Sequence, residues 1–426
     1  MTSTRTRTHQ PWTADPERWP DVAVAAGSPA RAAVARAVFG TAVARLPVRV
    51  RLADGSADSR SLHGGGGPAA PVMHIHRPRE FFRRFGASGL IGFGESYMAG
   101  DWDSPDLTGL LTVFAAHAAD LVPPGLQRLR RLAVRRQPPD DLQTVAGARR
   151  NIGRHYDLSN DLFALFLDET MTYSCALFPE RDGVLVAADL AEAQHRKIDR
   201  LLDRAGVGPG CRVLEIGTGW GELAIRAARR GATVRTITIS TEQRALAARR
   251  VAEAGLADRV RVELRDYRDL DGRFDAICSV EMLEAVGERY WDAYFAALDE
   301  HLAPGGRIGL QTITMAHDRM LATRQTYSWI QKYIFPGGLL PSVTAIGDSL
   351  ARTTLRIAGR EDLGAHYAET LRIWRERFGA RSADVARLGF DEVFNRMWTF
   401  YLCYSEAGFR AGYIDVSQLT LARTPL

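Results

Sequence analysis

The segment RVLEIGTGWGELAIRAA, residues 212–228, restricts the fold of this chain more than any other. A short apolar run ends at Glu215, three glycines follow at alternate positions (Gly217, Gly219 and Gly221), and a helical pattern resumes at once. This order predicts a buried strand, a tight glycine turn and a helix whose N-terminus points above the sheet. An α/β domain holds a nucleotide-like cofactor at such a turn, so the segment predicts a cofactor site.

The sequence around this turn alternates between strand and helix patterns. Further strands are predicted at 233–240, 260–264, 274–280 and 307–314, and helices at 242–253 and 290–302, with a turn at 303–306. Strands that alternate with helices favour a mostly parallel, doubly wound, Rossmann-like sheet with its ligand over the carboxyl ends of the strands.

The polar residues at this edge narrow the choice of cofactor. The second strand ends in Thr238-Ile239-Ser240 without the acid that a dehydrogenase uses on a ribose, and the turn has no phosphate-binding lysine. S-adenosylmethionine fits this pattern, whereas NAD and ATP do not. Glu215 either accepts a hydrogen bond from a ligand amine or only caps the turn. Asp266, after the third strand, is placed to accept from an adenine amine.

Length and composition indicate several domains in one chain. The 426 residues predict a small N-terminal α+β domain at 1–125, a basic linker at 126–150 and a catalytic domain at 151–426. The four cysteines are scattered without C-x-x-C spacing, so no metal site or disulfide framework is predicted. The N-terminus lacks the apolar core of a signal peptide, and no run approaches transmembrane length, so we expect a cytoplasmic protein.

Residues 126–139, LQRLRRLAVRRQPP, place five arginines between leucines ahead of two prolines. A basic amphipathic helix of this kind suits contact with a membrane surface, and a solvated linker helix explains it equally well. Nucleic-acid binding ranks last, because the net charge of +5 is spread along the chain and no reader motif is present.

Two further segments concentrate polar residues. Residues 151–178 mix His155, Tyr156 and Asp157 with a long apolar face, which is typical of a lid over a mostly apolar pocket. Residues 280–287, VEMLEAVG, place Glu281 and Glu284 just past the fourth strand, at the ligand edge. Each residue alone also has an ordinary structural explanation, such as a helix cap for Glu284.

Taken together, the segments resemble the cyclopropane-fatty-acyl-phospholipid synthases and related unsaturated-lipid methyltransferases. The resemblance runs from about residue 92 to the C-terminus. Its motifs are, in order, HYDLSNDLF (155–163), MTYSCA (171–176), Ala193-Gln194 with Lys197, LEIGTGWG (214–221), TISTEQ (238–243), DYRDL (266–270), EMLEAVG (281–287), YIFPGGLLPS (333–342), HYAETL (366–371) and FRAGYI (409–414).

The resemblance implies a methyl transfer from S-adenosylmethionine to the double bond of an unsaturated phospholipid acyl chain. A carbocation forms, a bound bicarbonate removes a proton, and a cyclopropane results; it also implies an enzyme at the inner face of the membrane and suggests a homodimer. Together with Glu215, the implied cofactor residues are Tyr173, Ser174, Gly217, Gly219, Gly221, Thr238, Ser240, Gln243, Asp266 and Tyr267. The implied bicarbonate site comprises Cys175, Glu284, Gln311, the backbone of Ile313, and Tyr367.

The chain departs from the family pattern at two places. Gln311 stands in LQTI where the synthases commonly carry His in LHTI, and Ser405 stands where a cysteine often precedes FRA. A glutamine donates an N–H bond but does not titrate, so proton relay through position 311 is in doubt. The same carbocation then has an alternative product, a 10-methylene branched chain of the tuberculostearate type. A small-molecule methyltransferase and a non-catalytic lipid-binding protein remain as rival functions.

Overall fold

The structure is a computed structural model that describes residues 13–53, 61–62 (backbone only), 65–118 and 159–423. The chain divides into two compact units. One comprises Met1–Ala133 with Ser382–Tyr404, and the other comprises Val134–Arg381 with Ser405–Leu426. The second, larger unit contains the predicted glycine turn.

The second unit is built on a seven-stranded sheet with the order β6-β7-β5-β4-β1-β2-β3. The five strands from β3 to β5 are mutually parallel, and β7 runs antiparallel to both β5 and β6. The strands are β1 Arg212–Ile216, β2 Thr233–Thr238, β3 Val260–Leu264, β4 Phe274–Val280, β5 Leu302–Met315, β6 Leu355–Asp362 and β7 Ile414–Arg423. The predicted α/β, doubly wound fold is therefore confirmed.

Helices cover both faces of this sheet because successive strand residues point to opposite sides. Val213 packs in one core with helices Leu190–Arg204 and Glu222–Arg229. Leu214 packs in the other core, against helix Trp291–His301. The other helices of this unit are Asn160–Ala164, Thr241–Glu253, Leu283–Val286, His317–Thr323, Trp329–Tyr333, Val343–Leu350 and Gly364–Ala380, with 3-10 turns at Tyr267–Asp269 and Glu288–Tyr290 and a small hairpin of Glu180–Arg181 with Val184–Leu185.

Sequence patterns predicted the first four strands to within two residues but not the last two. The edge strand β6, LRIAGRED, alternates buried and exposed residues and carries four charges, so it does not read as an apolar run. The predicted turn at 303–306 lies inside β5 as a bulge: Phe274 pairs with Leu302, but Ala276 pairs with Arg307. The strand therefore begins before the turn instead of after it.

The first unit is a small α+β body, as the N-terminal sequence predicts. Its four-stranded sheet has the order Ser61–Leu62, Arg49–Leu52, Val72–Ile75 and Trp102–Asp103, and only the middle pair is parallel. Its helices are Pro20–Ala23, Pro29–Val43, Pro78–Ser88, Leu90–Met98, Leu107–Ala116 and Ser382–Arg387. Inside it, Arg84 donates to the buried carboxylate of Asp101 at 2.5 Å, which neutralises an otherwise costly charge.

Residues 382–404 belong to this first unit, whereas the sequence interpretation placed 151–426 in one domain. The side chain of Arg396, on helix Glu392–Arg410, donates to the backbone oxygens of Tyr97 and Trp102. Trp19 likewise donates to Asp391 at 2.7 Å. Long-range bonds of this kind leave no local signal in the sequence, so the boundary was not predicted.

Two predicted features lie outside the described residues: the basic stretch 126–139, and the polar triplet His155, Tyr156 and Asp157. Within the described ranges, none of the helices combines the length and the apolar character needed to cross a bilayer.

Candidate active site

The glycine turn at the end of β1 has the backbone shape that its sequence predicts. Gly217, Gly219 and Gly221 have φ angles of +96°, +51° and +94°, a region that side chains with a Cβ disfavour. A Cβ on Gly217 would lie 2.5 Å from Met282 Cγ. Helix Glu222–Arg229 begins directly after the turn, so its free N–H groups face the same space.

A cavity lies at the carboxyl ends of β1 to β4 and gathers most of the predicted cofactor residues. Those that line it are Tyr173, Ser174, Glu215, Gly217, Gly219, Thr238, Gln243, Asp266 and Tyr267. Gly221 and Ser240 do not line it. Gly221 lies against Ala247, where its own Cβ would be 3.2 Å from the alanine Cβ, and Ser240 caps helix Thr241–Glu253 by accepting from the Gln243 N–H. These two residues shape the wall from behind.

The two predicted acids differ in their partners. Glu215 is buried, and its Oε2 has no hydrogen-bond partner, which suits an amine of a bound ligand. Burial raises the pKa of Glu215 to about 8, against a hydrogen bond from Thr236 and the charge of Lys197. Asp266 instead holds Arg268 through two bonds of 2.8 and 3.0 Å, a partner that the sequence interpretation did not include. Its oxygens retain further acceptor sites for a ligand.

The MTYSC segment is fixed to this cavity by helix Leu190–Arg204. Gln194 donates to the backbone oxygens of Thr172 and Ser174, and the Lys197 ammonium donates to Ser174 Oγ at 2.7 Å. Burial lowers the pKa of Lys197 to about 8. These bonds explain why Gln194 and Lys197 accompany the segment in the sequence pattern.

The cavity fits S-adenosylmethionine. It offers an unpartnered buried carboxylate oxygen for the amino group of the methionine part and a glycine turn that permits close backbone approach. Its lining also includes the aromatic rings of Tyr173, Trp220 and Tyr267.

The residues predicted to bind bicarbonate lie together around one side chain that the prediction left out. The Glu281 carboxylate accepts from the Cys175 N–H at 2.9 Å and from the Gln311 amide at 2.8 Å through Oε1. Its Oε2 accepts from the Tyr367 hydroxyl at 2.6 Å. Glu281 also lines the cofactor cavity, and it is partly exposed there.

The remaining two predicted residues meet at Glu284. Its Oε1 accepts from the Ile313 N–H and from the Thr312 hydroxyl, while Oε2 is buried without a partner. Burial raises the pKa of Glu284 to about 8, and the nearby Glu281 adds to this shift. Glu284 therefore binds the strand β5 backbone and does not cap a helix.

A chain of amides fixes the direction of the Gln311 bond. Arg200 Nε donates to Gln418 Oε1 at 3.0 Å, and Gln418 Nε2 donates to Gln311 Oε1 at 3.0 Å. Because an arginine has no acceptor, each amide in the chain must turn its N–H group away from Arg200. The Gln311 side chain thus presents a donor to Glu281.

Bicarbonate does not fit the site as the residues stand. The donors implied for it, namely Cys175 N–H, Gln311 and Tyr367, already bind the Glu281 carboxylate. A second anion at the same donors would lie against a carboxylate with the same charge, which is costly away from bulk water.

Comparison with known proteins identifies the class of enzyme. The family model described as mycolic acid cyclopropane synthetase matches residues 143–419. The tuberculostearic acid methyltransferase UfaA1 of Mycobacterium tuberculosis is 56% identical over 96% of this chain and 96% of its own length. The cyclopropane-fatty-acyl-phospholipid synthase of Escherichia coli K12 is 37% identical over 84% of this chain and 89% of its own.

Solved structures agree with the sequence comparisons. The cyclopropane synthase MmaA2 of M. tuberculosis matches with a TM-score of 0.59 and 33% identity, over 65% of this chain and 98% of that one. The mycolic acid cyclopropane synthase CmaA1, solved with SAH and CTAB, matches with a TM-score of 0.58 and 35% identity, over 64% and 97%. The chain is an S-adenosylmethionine-dependent methyltransferase. It belongs to the mycolic acid cyclopropane synthetase family, as its sequence motifs predict.

Proposed function

We propose that this enzyme transfers the methyl group of S-adenosylmethionine to the double bond of an unsaturated phospholipid acyl chain and that the product is a 10-methylene chain. The observation that carries the proposal is the 56% identity with a tuberculostearic acid methyltransferase along nearly the full length of both proteins. The cyclopropane product is the second candidate, supported by the 37% identity with the E. coli synthase. The choice reverses the order in which the sequence alone placed the two products.

The predicted cofactor residues supply the donor side of this proposal. Glu215 accepts from the amino group, the glycine turn lets the donor approach the backbone, and Gln243 and Asp266 supply polar groups along the cavity. An isolated alkene is a weak nucleophile, so the sulfonium methyl must be held close to it and in line. Bound S-adenosylmethionine supplies the electrophilic methyl group.

The two products share every step except the last. The alkene electron pair forms a C–C bond to the methyl carbon, the S–CH3 bond breaks, and the adjacent carbon becomes a cation. A hydride shift followed by loss of a proton from the new methyl group gives the methylene; loss of that proton without the shift closes the cyclopropane. Aromatic faces such as those of Tyr173 and Tyr267 ease the cation, and exclusion of water protects it.

We also propose that the enzyme works at the inner face of the membrane, where its substrate lies, with the basic stretch 126–139 against anionic headgroups. On this basis activity requires vesicles and weakens at high salt. A methyltransferase of soluble small molecules would need no vesicles. The homodimer that the resemblance suggests stays a prediction.

Proton NMR of the lipid product tests the proposal, because the two products have equal mass. Purified enzyme, S-adenosylmethionine and dioleoyl phosphatidylglycerol vesicles should give vinylidene signals. Cyclopropyl signals would favour the second candidate. Absence of methyl transfer to vesicles of any unsaturated phospholipid would contradict both.

A further inference from the structure

Glu281 occupies the centre of the polar cluster beside the cofactor cavity. Three donors from three separate parts of the chain converge on its two oxygens: the Cys175 N–H, the Gln311 amide and the Tyr367 hydroxyl. Cys175 and Gln311 are fully buried, and Tyr367 is nearly so. Because all three groups donate, the cluster stabilises an acceptor, which is the ionised carboxylate.

The backbone at Glu281 indicates that this placement has a cost. Its φ angle is +52°, in the left-handed region where a residue with a Cβ loses stability relative to glycine. Such outliers persist where the surroundings fix them, and they concentrate at functional sites. Its own N–H donates to the Gln311 backbone oxygen at 2.7 Å, which helps to hold the unusual conformation.

The charged neighbours of Glu281 come from three elements. Lys197 lies on helix Leu190–Arg204, Glu284 lies on the following helical turn, and Arg200 acts through the amide chain. Burial raises the pKa of Glu281, whereas its hydrogen bonds and the charge of Lys197 lower it. Burial thus makes the group a stronger proton acceptor than an exposed glutamate, while the three donors keep it in the ionised form.

We propose that Glu281 is the catalytic base of this enzyme and takes the place of bicarbonate. In the final step its carboxylate oxygen forms an O–H bond with a proton of the transferred methyl carbon. The C–H electron pair becomes the second bond of the methylene, and the cation is neutralised. The carboxylic acid then loses its proton to water, which completes the turnover without a bound anion. This inference rests on the proposed function, since it assigns the base for that reaction.

The geometry favours Glu281 over the other acids as the base. Glu215 lies at the end of β1 against Thr236, where it suits the donor's amine. Glu284 binds the backbone of β5 and, among the described residues, is absent from the cavity lining. Only a group that borders the cavity and holds an ionised oxygen there meets the requirement for proton removal.

The experiment compares wild type, Glu281→Gln, Glu281→Gly and the exposed-surface control Glu253→Gln in buffer depleted of carbon dioxide, with and without added bicarbonate. The assay measures methyl transfer to oleoyl phospholipid vesicles. Wild type and Glu253→Gln should be indifferent to bicarbonate. Glu281→Gln keeps the shape but is not a base, so its kcat should fall about 100-fold or more, and bicarbonate should not restore it. Glu281→Gly frees the three donors, so bicarbonate should restore part of its activity.

Thermal stabilisation by S-adenosylmethionine reports whether each variant folds and binds its donor. A wild-type enzyme that loses activity when bicarbonate is removed would overturn the inference, and that measurement needs no variant. Full activity of Glu281→Gln would overturn it as well. A wild-type enzyme that methylates no unsaturated phospholipid, with or without bicarbonate, would instead contradict the proposed function itself.

Discussion

The glycine turn and the Glu281 cluster lie on the same cavity but are built in opposite ways. The turn is a run of consecutive residues, 215–221, whose function depends on backbone shape. The cluster brings together side chains from the ends of β4, from β5 and β7, and from helix Gly364–Ala380, with the backbone of Cys175. We infer that cofactor binding is encoded locally and proton removal is encoded by the tertiary fold.

The largest effect is expected when the turn is altered. In Gly217→Ala, the new Cβ pushes against Met282, which itself lines the cavity, so the side chain is displaced toward the donor. We expect kcat/KM to fall about 100-fold, as for a loss of roughly 2.7 kcal/mol. Calorimetric titration with S-adenosylhomocysteine checks that the loss is in donor binding.

Gly255→Ala is the matched control for this change. Gly255 has a φ of +69°, but a Cβ there would meet nothing within 4 Å. Both variants should lose about 1–2 kcal/mol of stability from the left-handed backbone. Only Gly217→Ala should lose donor affinity, and equal losses in both would show that the close contact with Met282 is unimportant.

The next effect is expected at Glu215, which belongs to the turn but acts through its side chain. Glu215→Gln keeps the volume and removes the charge that we assign to the donor's amino group. A charge-assisted hydrogen bond of about 2 kcal/mol corresponds to roughly a 30-fold loss of affinity. The product spectrum should be unchanged, because the cluster around Glu281 is intact; a changed product would contradict the division between the two regions.

Glu215 also makes the stability of the ligand-free enzyme depend on pH. Its pKa is raised by burial to about 8, while in an unfolded chain it is about 4.3. The unfolded chain therefore binds fewer protons between these values, and the free energy of unfolding falls as the pH rises through this window. Lys197, with its pKa lowered to about 8, acts in a separate window above that value.

Urea denaturation of wild type and Glu215→Gln at several pH values checks this expectation. The stability of wild type relative to the variant should decrease between pH ~5 and pH ~8. A relative stability that rises with pH would mean that Glu215 is stabilised as a carboxylate in the ligand-free enzyme.

The contrast between the regions also explains what the sequence predicted. The spacing of Gly217, Gly219 and Gly221 after an apolar strand is a local pattern, and it predicted both the turn and the class of cofactor. The motif 280–287 drew attention to Glu281 at the correct edge of the sheet but gave it no role. Its partners become visible only through strand register.

Register supplied the missing partners in two steps. Gln311 on β5 pairs with Val280, next to Glu281, on one side and with Gln418 on the other. Because β7 was not predicted, neither Gln418 nor its partner Arg200 was identified. The unusual glutamine at 311, beside a glutamate at the ligand edge, was the signal that pointed to this pair.

The amide chain should matter less than the turn but more than any single donor. Gln418→Glu keeps the volume and still accepts from Arg200, but it offers no donor to Gln311 Oε1. The Gln311 amide is then free to turn its oxygen toward Glu281. We expect kcat to fall about tenfold, which corresponds to 1–2 kcal/mol, with donor affinity unchanged.

A merely structural role for Gln418 would lower stability without this separation of kcat from binding. Gln418→Met tests that role, because it removes both polar functions. If Gln418→Met and Gln418→Glu lose stability equally but keep the wild-type kcat, the amide chain does not position Gln311.

The smallest effect is expected from the removal of one donor to Glu281. Tyr367→Phe deletes only the hydroxyl that donates to Oε2 at 2.6 Å, and the ring keeps its contact with Phe409 at 4.5 Å between centroids. The carboxylate retains the Cys175 N–H and the Gln311 amide, so a net loss of about 0.7 kcal/mol, or roughly threefold in kcat, is expected. The same deletion in a Glu281→Gln background should cost nothing further, because the charge that the hydroxyl stabilises is already gone. A double-mutant cycle on kcat measures this coupling, and additive effects would mean that Tyr367 acts on the substrate independently of Glu281.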